Sequence, residues 1–568
     1  AVFFPIVFMD GTTGRLFREF SIVVSGSVII SSFAALTFTP MLATKLLIKR
    51  EQQSWFYRKT EPFFEGMNRV YSQSLAAFLK RRWIALPFTI VTILLIGVLW
   101  NTIPAEMAPL EDRSQISINT MGAEGVTYEY IRDYTEDINH LVDSIIPDAE
   151  AVTARVSSGS GNVRITLKDM KDRDYTQMEV AEKLSKAVQK KTMARSFVQQ
   201  SSSFGGRRGG MPVQYVLQAT NIEKLQEVLP KFMTKVYENP VFQMADVNLK
   251  FSKPEARINI NRDKASIMGV STKNIAQTLQ YGLSGQRMGY FYMNGKQYEI
   301  LGEINRQQRN KPADLKGIYI RSDNGNMVQL DNLIELTGGI APPKLYRYNR
   351  FVSATISAGL ADGKTIGQGL DEMDKIAKET LDETFRTALT GDSKEYRESS
   401  SSLMFAFILA IVLIYLILAA QFESFKDPLI IMLTVPLAIA GALVFMYFGD
   451  ITMNIFSQIG IIMLIGLVAK NGILIVEFAN QKQEAGEDKM RAIKDASLQR
   501  LRPILMTSAS TILGLIPLAF ATGEGCNQRI AMGTAVVGGM LISTLLTMYI
   551  VPAIYSYVST NRSKLKTE

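Results

Sequence analysis

Histidine and cysteine are almost absent from this sequence. Its 568 residues include one histidine, His140, and one cysteine, Cys526. One cysteine excludes an intramolecular disulfide framework and a cysteine-only metal site, and one histidine excludes the common zinc sites. We therefore predict no metal site, no cofactor and no enzymatic centre of the Ser-His-Asp type.

A complete phosphate-binding loop is also missing. The segment GLADGKT, residues 359–365, follows a strand-like stretch and precedes a helix-like one. Gly359 and Gly363 enclose only three residues, whereas the phosphate loop needs four. A membrane-attached ATPase is therefore a weak alternative. The net charge of +9 is modest, and Arg207 and Arg208 have no interleaved aromatic residues, so we predict no nucleic-acid partner.

Long apolar runs, in contrast, are frequent. A helix needs about 20 apolar residues to span the hydrocarbon core of a bilayer. Seven runs reach or approach this length, and Lys470 is the one charge well inside any of them. The predicted spans are residues 20–43, 83–100, 403–420, 428–448, 455–479, 503–521 and 531–558. The chain starts in an apolar run without the features of a signal peptide, so we expect it to begin inside a larger protein.

The polar parts of the chain predict its topology. The region between residues 100 and 403 is rich in charge, glycine and turn signals, which a membrane core does not tolerate, so we predict an aqueous domain there. The segment 45–82 has nine lysines and arginines against three glutamates, which indicates the cytoplasmic side. The aqueous domain then lies outside. Aromatic residues at helical spacing in this segment predict either a helix in the membrane interface or a helix packed on protein.

Strand-like and helix-like segments alternate in the aqueous region. Residues 114–191 and 212–381 each fit a βαββαβ-like order, and an insertion from about residue 269 to 345 interrupts the second unit. The predicted fold class is a membrane α-helical bundle joined to an α+β region of split βαβ, ferredoxin-like modules.

Lys470 is the strongest candidate for a functional residue. A charge in the middle of a span costs roughly 2.5 to 3.5 kcal/mol, so a function or a partner has to justify it. A proton-driven carrier needs a carboxylate opposite such a lysine. The carboxylates Glu19, Glu423, Asp450 and Glu477 all lie at or near span ends. A relay through Lys470 would therefore take its acidic partner from sequence outside this chain.

Three further polar residues accompany Lys470. Asn471 follows it directly, and Arg500 and Thr507 are seven residues apart on a similar face of the next span. The alternative for the arginine is an anchor at the cytoplasmic membrane surface. The alternative for the threonine is a hydrogen bond to the backbone of its own helix. Both alternatives stay open at this point.

Four sequence segments resemble a known family. AKNGILIVEFA, RLRPILMTS, PLAFATGEG and MGTAVVGGM are similar to the C-terminal half of a resistance-nodulation-division (RND) transporter of the hydrophobic and amphiphilic efflux type, and the resemblance covers essentially the whole chain. It implies these parts: the end of one span and a full transmembrane helix in residues 1–46, a cytoplasmic interfacial helix in 47–82, a transmembrane helix in 83–103, porter modules in 104–268, a docking subdomain in 269–345, the return to the second porter module in 346–398, five transmembrane helices in 399–558 and a cytoplasmic tail in 559–568.

The resemblance also implies a function. Lys470, Arg500 and Thr507, with Asn471 beside them, match the family's proton relay, whose two aspartates lie in an N-terminal half that this sequence lacks. The implied protein is a homotrimer in the bacterial inner membrane with its large domain in the periplasm. It works with a periplasmic adaptor and an outer-membrane channel, and it exchanges protons for amphiphilic compounds.

One porter loop departs from the drug-exporting members of the family. The loop 157–162, which includes Ser157 and Gly161, has no aromatic residue, so we do not expect it to stack on planar drugs. Phe197 and Phe204 are the predicted aromatic lining of the same substrate cleft. Two other functions stay open: a non-pumping, membrane-anchored scaffold, and metal-ion export, for which the 26 methionines form no clear ligand cluster.

Overall fold

The computed structural model describes residues 4–9, 11–46, 55–200, 211–342, 344–361 and 363–560. Its helices are α1 Gly11–Leu46, α2 Trp55–Lys80, α3 Ala85–Thr102, α4 Tyr128–Ile145, α5 Gln177–Val188, α6 Ile222–Glu238, α7 Arg262–Ile267, α8 Thr272–Leu283, α9 Ile366–Thr380, α10 Gly391–Phe422, α11 Asp427–Met432, α12 Thr434–Phe448, α13 Ile455–Glu484, α14 Lys489–Ala519 and α15 Cys526–Val558. Its strands are β1 Gln115–Met121, β2 Ala151–Ser157, β3 Ser160–Thr166, β4 Arg195–Gln200, β5 Val213–Ala219, β6 Phe242–Val247, β7 Lys253–Ile260, β8 Gln286–Met293, β9 Lys296–Gly302, β10 Tyr319–Arg321, β11 Met327–Gln329, β12 Ile334–Ala341, β13 Arg347–Tyr348, β14 Phe351–Leu360 and β15 Arg386–Leu389.

Seven helical segments in the described part of the chain are long and apolar enough to cross a membrane. They are α1, α3, α10, the pair α11 and α12 taken together, α13, α14 and α15. Each corresponds to a predicted span, and together with the α+β region they confirm the predicted fold class. Helices α10 and α14 begin well before the predicted spans because polar turns extend them beyond their apolar parts.

Helix α15 packs against α12, α13 and α14 at the centre of the bundle. Three of its glycines allow this approach. A Cβ on Gly538 would lie 2.4 Å from Phe445 of α12, one on Gly539 would lie 2.3 Å from Leu464 of α13, and one on Gly533 would lie 2.5 Å from the backbone of α14. Small residues at such crossings are the usual means of close helix packing in lipid, where van der Waals contact replaces the hydrophobic driving force.

Helix α1 is packed very differently. Its N-terminal part is held by a hydrogen bond of 2.6 Å between the hydroxyls of Thr13 and Ser399, and by the rings of Phe17 and Phe456 at 6.1 Å. In the most apolar stretch of 18 residues in α1, no residue is buried. In the corresponding stretches of α13 and α15, two-thirds of the residues are buried. Most of α1 therefore presents apolar side chains away from the rest of the described chain.

Helix α2 has one packed side and one exposed side. Tyr71, Leu75 and Leu79 are buried against the bundle, and the Tyr71 hydroxyl donates to the carbonyl of Met548 at 2.7 Å. Phe63, on the same helix, is 71% exposed. One side of α2 thus packs on α14 and α15, while the other presents apolar surface.

The first unit of the aqueous region is a four-stranded antiparallel sheet in the order β2-β3-β1-β4. Alternate residues of β1 and β3, such as Ile116, Ile118 and Val163, are buried beneath α4 and α5. The helices are amphipathic, and Ile138 and Leu184 complete the apolar layer. The order β1-α4-β2-β3-α5-β4 is the predicted split βαβ module.

The second unit repeats this topology. Strands β6, β14, β5 and β15 are neighbours in that order, with α6 and α9 packed on the sheet. The chain between β6 and β14 forms an insertion in which β7 pairs with β12, and a separate small core includes Ile275, Ile320 and Leu330. Two modules of one design, the second with an inserted subdomain, therefore make up the aqueous region.

The close approach of α15 to α12 gives a prediction for stability. Replacing Gly538 by Ala brings a methyl group into Phe445, and overpacking of this kind costs roughly 1–3 kcal/mol. Gly514→Ala is the control, because its Cβ meets nothing within 4 Å and alanine favours the helix. We expect Gly538→Ala to lower the apparent Tm of the detergent-solubilised protein and Gly514→Ala to leave it unchanged or higher. Equal Tm values for both variants would contradict this packing.

Candidate functional site

Lys470 lies near the middle of α13. Asn454 is the N-cap residue of this helix, and its side-chain oxygen accepts hydrogen bonds of 3.0 Å from the N–H groups of Phe456 and Ser457. Lys470 is half-buried, and in the part of the chain that the structure describes no side chain or carbonyl accepts a hydrogen bond from its ammonium group. It belongs to a partly exposed stripe that also includes Leu467 and Leu474. The charge therefore lies on the open side of α13.

The neighbouring Asn471 points the other way and is 1% exposed. Its amide nitrogen donates to the hydroxyl of Ser508 on α14 at 3.3 Å and to that of Thr544 on α15 at 3.4 Å. The Thr544 hydroxyl is 3.2 Å from Ser508. These three residues, which we call the polar triad, join α13, α14 and α15 at the centre of the bundle.

The polar triad has unused hydrogen-bonding capacity. The side-chain oxygen of Asn471 is buried and accepts no hydrogen bond from any described residue. The hydroxyl of Thr547, one turn along α15 from Thr544, is likewise buried and, within the same set of residues, without a partner. Buried polar atoms in proteins are usually satisfied by a group or an ordered water. The interior near Lys470 is thus more polar than its apolar sequence indicates.

The two arginines that precede the α14 span have different roles. The guanidinium of Arg500 lies 4.4 Å from the ring centre of Phe478 on α13, and its Nε is buried without a hydrogen-bond partner among the described residues. Arg502 pairs with Glu61 on α2 at 2.9 Å and lies over the Phe64 ring. Arg502 therefore anchors α14 to α2, whereas Arg500 faces α13.

Thr507 is not joined to the other predicted residues. Its side chain is exposed, and its hydroxyl donates to the carbonyl of Ile504 in the same helix at 3.1 Å. The local backbone bond considered for this threonine is therefore present. The structure instead brings Ser508 and Thr544 to Asn471. Thr544 was absent from the predicted site, although a Ser-Thr pair and Thr547 inside an apolar span were a signal that could have found it.

Three of the predicted substrate-cleft residues, Ser157, Gly161 and Phe197, lie in the first sheet of the aqueous region. Phe197 on β4 is opposite Asn119 on β1, which is opposite Asn162 on β3, so these three side chains share one face of the sheet. The amide of Asn162 donates to Asn119 at 2.8 Å. Helices α4 and α5 cover the other face of the sheet. Phe197, Asn119 and Asn162 therefore lie on the face that these helices leave open.

The remaining cleft residues are divided between the two faces. Ser157 lies two residues from Arg155, which is opposite Asn162, so Ser157 shares the open face with Phe197. Gly161 is buried on the helix-covered face, where an added Cβ would lie 2.2 Å from the Thr135 hydroxyl. Phe204 lies outside the described residues. The sheet thus brings Ser157 and Phe197 to one face and turns Gly161 to the other.

Comparison with known proteins places the chain in a family. A family profile described as AcrB/AcrD/AcrF matches residues 1–559. An uncharacterized transporter of Haemophilus influenzae is 31% identical over 575 aligned residues, which include all of this chain and 56% of that protein. The chain therefore spans about half the length of the curated relative that it matches. With its apolar helices and paired split βαβ modules, it belongs to the AcrB/AcrD/AcrF family of RND transporters and is not an enzyme.

Proposed function

We propose that the chain is the C-terminal portion of a proton-coupled efflux transporter that exports amphiphilic compounds. The observation that carries this proposal is the position of Lys470, a charge near the middle of an apolar helix, on its partly exposed side and without an ion-pair partner in the described chain. A charge at this depth is costly unless another group compensates it or it takes part in transport.

A carboxylate from other spans is the partner that fits Lys470. In the described spans, carboxylates occur only towards the ends: Glu423 caps α10, Asp427 begins α11, and Glu477 accepts a hydrogen bond from Gln481 near the end of α13. A carboxylate that alternates between charged and neutral states beside Lys470 changes which helix packing is favoured. We infer that paired aspartates of an N-terminal half supply it.

The open surfaces of the bundle fit the same N-terminal half. The apolar side chains of α1, among them Ile29, Phe33 and Leu36, are exposed, as are Met506 and Leu513 on α14. The matched relative has 44% of its length outside the aligned region, since the alignment covers 56% of it. We propose that the complete protein has a segment equivalent to this unaligned part of the relative. This segment packs against α1 and the open sides of α13 and α14, and Lys470, Arg500 and Thr507 face it.

The outer region fits export across two membranes. We propose that the split βαβ modules lie in the periplasm of a bacterium and that the spans lie in its inner membrane, as the basic segment before α3 predicts. The hairpin β8–β9 exposes the side chains of Tyr290, Phe291 and Tyr292. An isolated two-stranded hairpin has only marginal stability, and exposed apolar patches commonly mark interaction surfaces. Such apolar surface suits assembly as a homotrimer with a periplasmic adaptor and an outer-membrane channel.

A non-pumping scaffold is the competing function. It is favoured by the lack of a carboxylate at the centre of any span in the described chain. In that case the modules would hold partner proteins and the spans would serve as an anchor. Loss of export on removing the Lys470 charge, without loss of assembly, separates the two functions.

Replacing Lys470 by Ala in the complete transporter tests the relay directly. We expect export of an amphiphilic dye such as ethidium to fall by roughly 100-fold, as for loss of a positioned proton-transfer group. Lys482→Ala is the matched control, since this lysine lies on the same helix but pairs with Glu487 at 2.9 Å near the cytoplasmic end. Undiminished export by Lys470→Ala, at equal protein level, would remove Lys470 from the mechanism.

Two adjacent residues of α14 separate a relay role from a structural one. Ser508→Ala removes the acceptor of two hydrogen bonds and leaves buried donors unpaired, which costs roughly 1–3 kcal/mol, so we expect a lower apparent Tm. Thr507→Ala removes only a bond to its own helix, so we expect an unchanged Tm but weaker export. Thermal unfolding and dye export of both variants are measured together. Full export by Thr507→Ala would exclude this threonine from the relay.

A further inference from the structure

The segment 104–112, which we call the strap, connects the outer end of α3 to the first porter module. It runs beside the loop before α13. The N–H of Met453 donates to the carbonyl of Pro104 at 2.8 Å, and the N–H of Glu106 donates back to Met453 at 3.0 Å. The N–H of Ile455, the first residue of α13, donates to Met107 at 3.3 Å. The strap is therefore bonded to the start of the helix that carries Lys470.

The strap is also bonded to α15. The side chain of Asn527 donates to the carbonyl of Leu110 at 2.7 Å. The carboxylate of Glu111, which is 1% exposed, accepts from the N–H of Gln528 at 3.1 Å in the first turn of the helix. Two of the three helices that contribute to the polar triad, α13 and α15, thus hold the strap at their first residues.

The far end of the strap is fixed to the porter module. The buried carboxylate of Asp112 accepts from the N–H of Gln177 at 2.8 Å and forms an ion pair with Arg173. The side chain of Gln177 in turn accepts from the N–H groups of Arg113 and Gln115. The strap therefore connects the starts of α13 and α15 to the first sheet through backbone and charged hydrogen bonds.

Glu106 lies at the centre of this segment and borders an open cavity of about 400 Å³. Its carboxylate accepts a hydrogen bond from the hydroxyl of Thr452. The Asn454 amide donates to the same hydroxyl at 3.2 Å, while the Asn454 oxygen caps α13. A chain of hydrogen bonds therefore runs from Glu106 through Thr452 and Asn454 to the first turn of α13.

The surroundings of Glu106 favour its neutral form. Burial raises the pKa of the Glu106 carboxyl, and the hydrogen bond from Thr452 offsets part of this effect. Of the described residues that line the cavity, Asp450 is the other titratable one, and it is exposed. On the strap, Glu111 is bonded to α15. In the first turns of α15, Arg529 donates to the carbonyls of Glu524 and Gly525.

We propose that Glu106 is a proton-binding residue at the outer mouth of the α13 and α15 bundle, and that its charge state sets how firmly the strap is held to the start of α13. This inference rests on the proposed function. The carboxylate takes one proton from the outer solution and becomes a neutral acid, so the charge-assisted bond from Thr452 becomes an ordinary, weaker one. Lys470 lies roughly 24 Å further along α13, so Glu106 acts at the entrance and not in contact with it.

Infrared titration of the complete protein in liposomes tests proton binding independently of transport. We expect a carboxyl band that appears, as pH falls, at a higher pH than for an ordinary glutamate. Glu106→Gln removes this band, and Asp450→Asn, in the same cavity, retains it. Thr452→Val, which leaves Glu106 in place, shifts the band to still higher pH because the anion loses a hydrogen bond. A band that persists in Glu106→Gln would overturn the proposal.

The same variants in a dye-export assay test the coupling to transport. Glu106→Gln fixes the neutral form, so the dependence of ethidium export on outer pH should flatten in the range where the band titrates. An unchanged pH profile would overturn the role of Glu106 in transport. Failure of the Lys470 relay is a separate result, because it appears as full export by Lys470→Ala and leaves the infrared titration unaffected.

Discussion

The close approach of α15 to three other helices is the constraint on which the membrane part depends. In lipid there is no hydrophobic force between helices, so glycines that admit neighbouring backbones decide which helices meet. Gly533, Gly538 and Gly539 face α14, α12 and α13, respectively. This packing brings Asn471, Ser508 and Thr544 within hydrogen-bonding distance. Consecutive helical residues differ by about 100° in direction, so an inward Asn471 turns Lys470 to the partly open side.

The helix bundle and the first α+β module are joined by hydrogen bonds at the starts of α13 and α15. The strap 104–112 is bonded to the starts of α13 and α15 on one side and, through Asp112, to the first sheet on the other. In the proposed transporter, a change of charge beside Lys470 that alters helix packing reaches the sheet that carries Phe197 through this connection. Glu106 adds a proton-sensitive group to this route without lying in the span itself.

The sequence predicted those features that follow from local pattern. The lengths of apolar runs indicated seven spans, and alternation with amphipathic helices indicated the split βαβ modules. Strands β4 and β15 were missed because they are short and polar, and they become strands only by pairing with β1 and β5. Asn471 was among the predicted residues, but its hydrogen bonds to Ser508 and Thr544 were missed, since the three side chains come from three helices and meet only through tertiary packing. Lys470 was found because a charge within an apolar run is visible locally.

We propose that Lys470 acts with carboxylates from an N-terminal half of the complete protein. The most direct measurement is the nucleotide sequence of the gene upstream of the codon for Ala1. We expect a continuous reading frame that encodes further spans, one of which carries paired acidic residues near its centre. A start codon close to Ala1, with no membrane carboxylate encoded before it, would contradict proton coupling by this polypeptide.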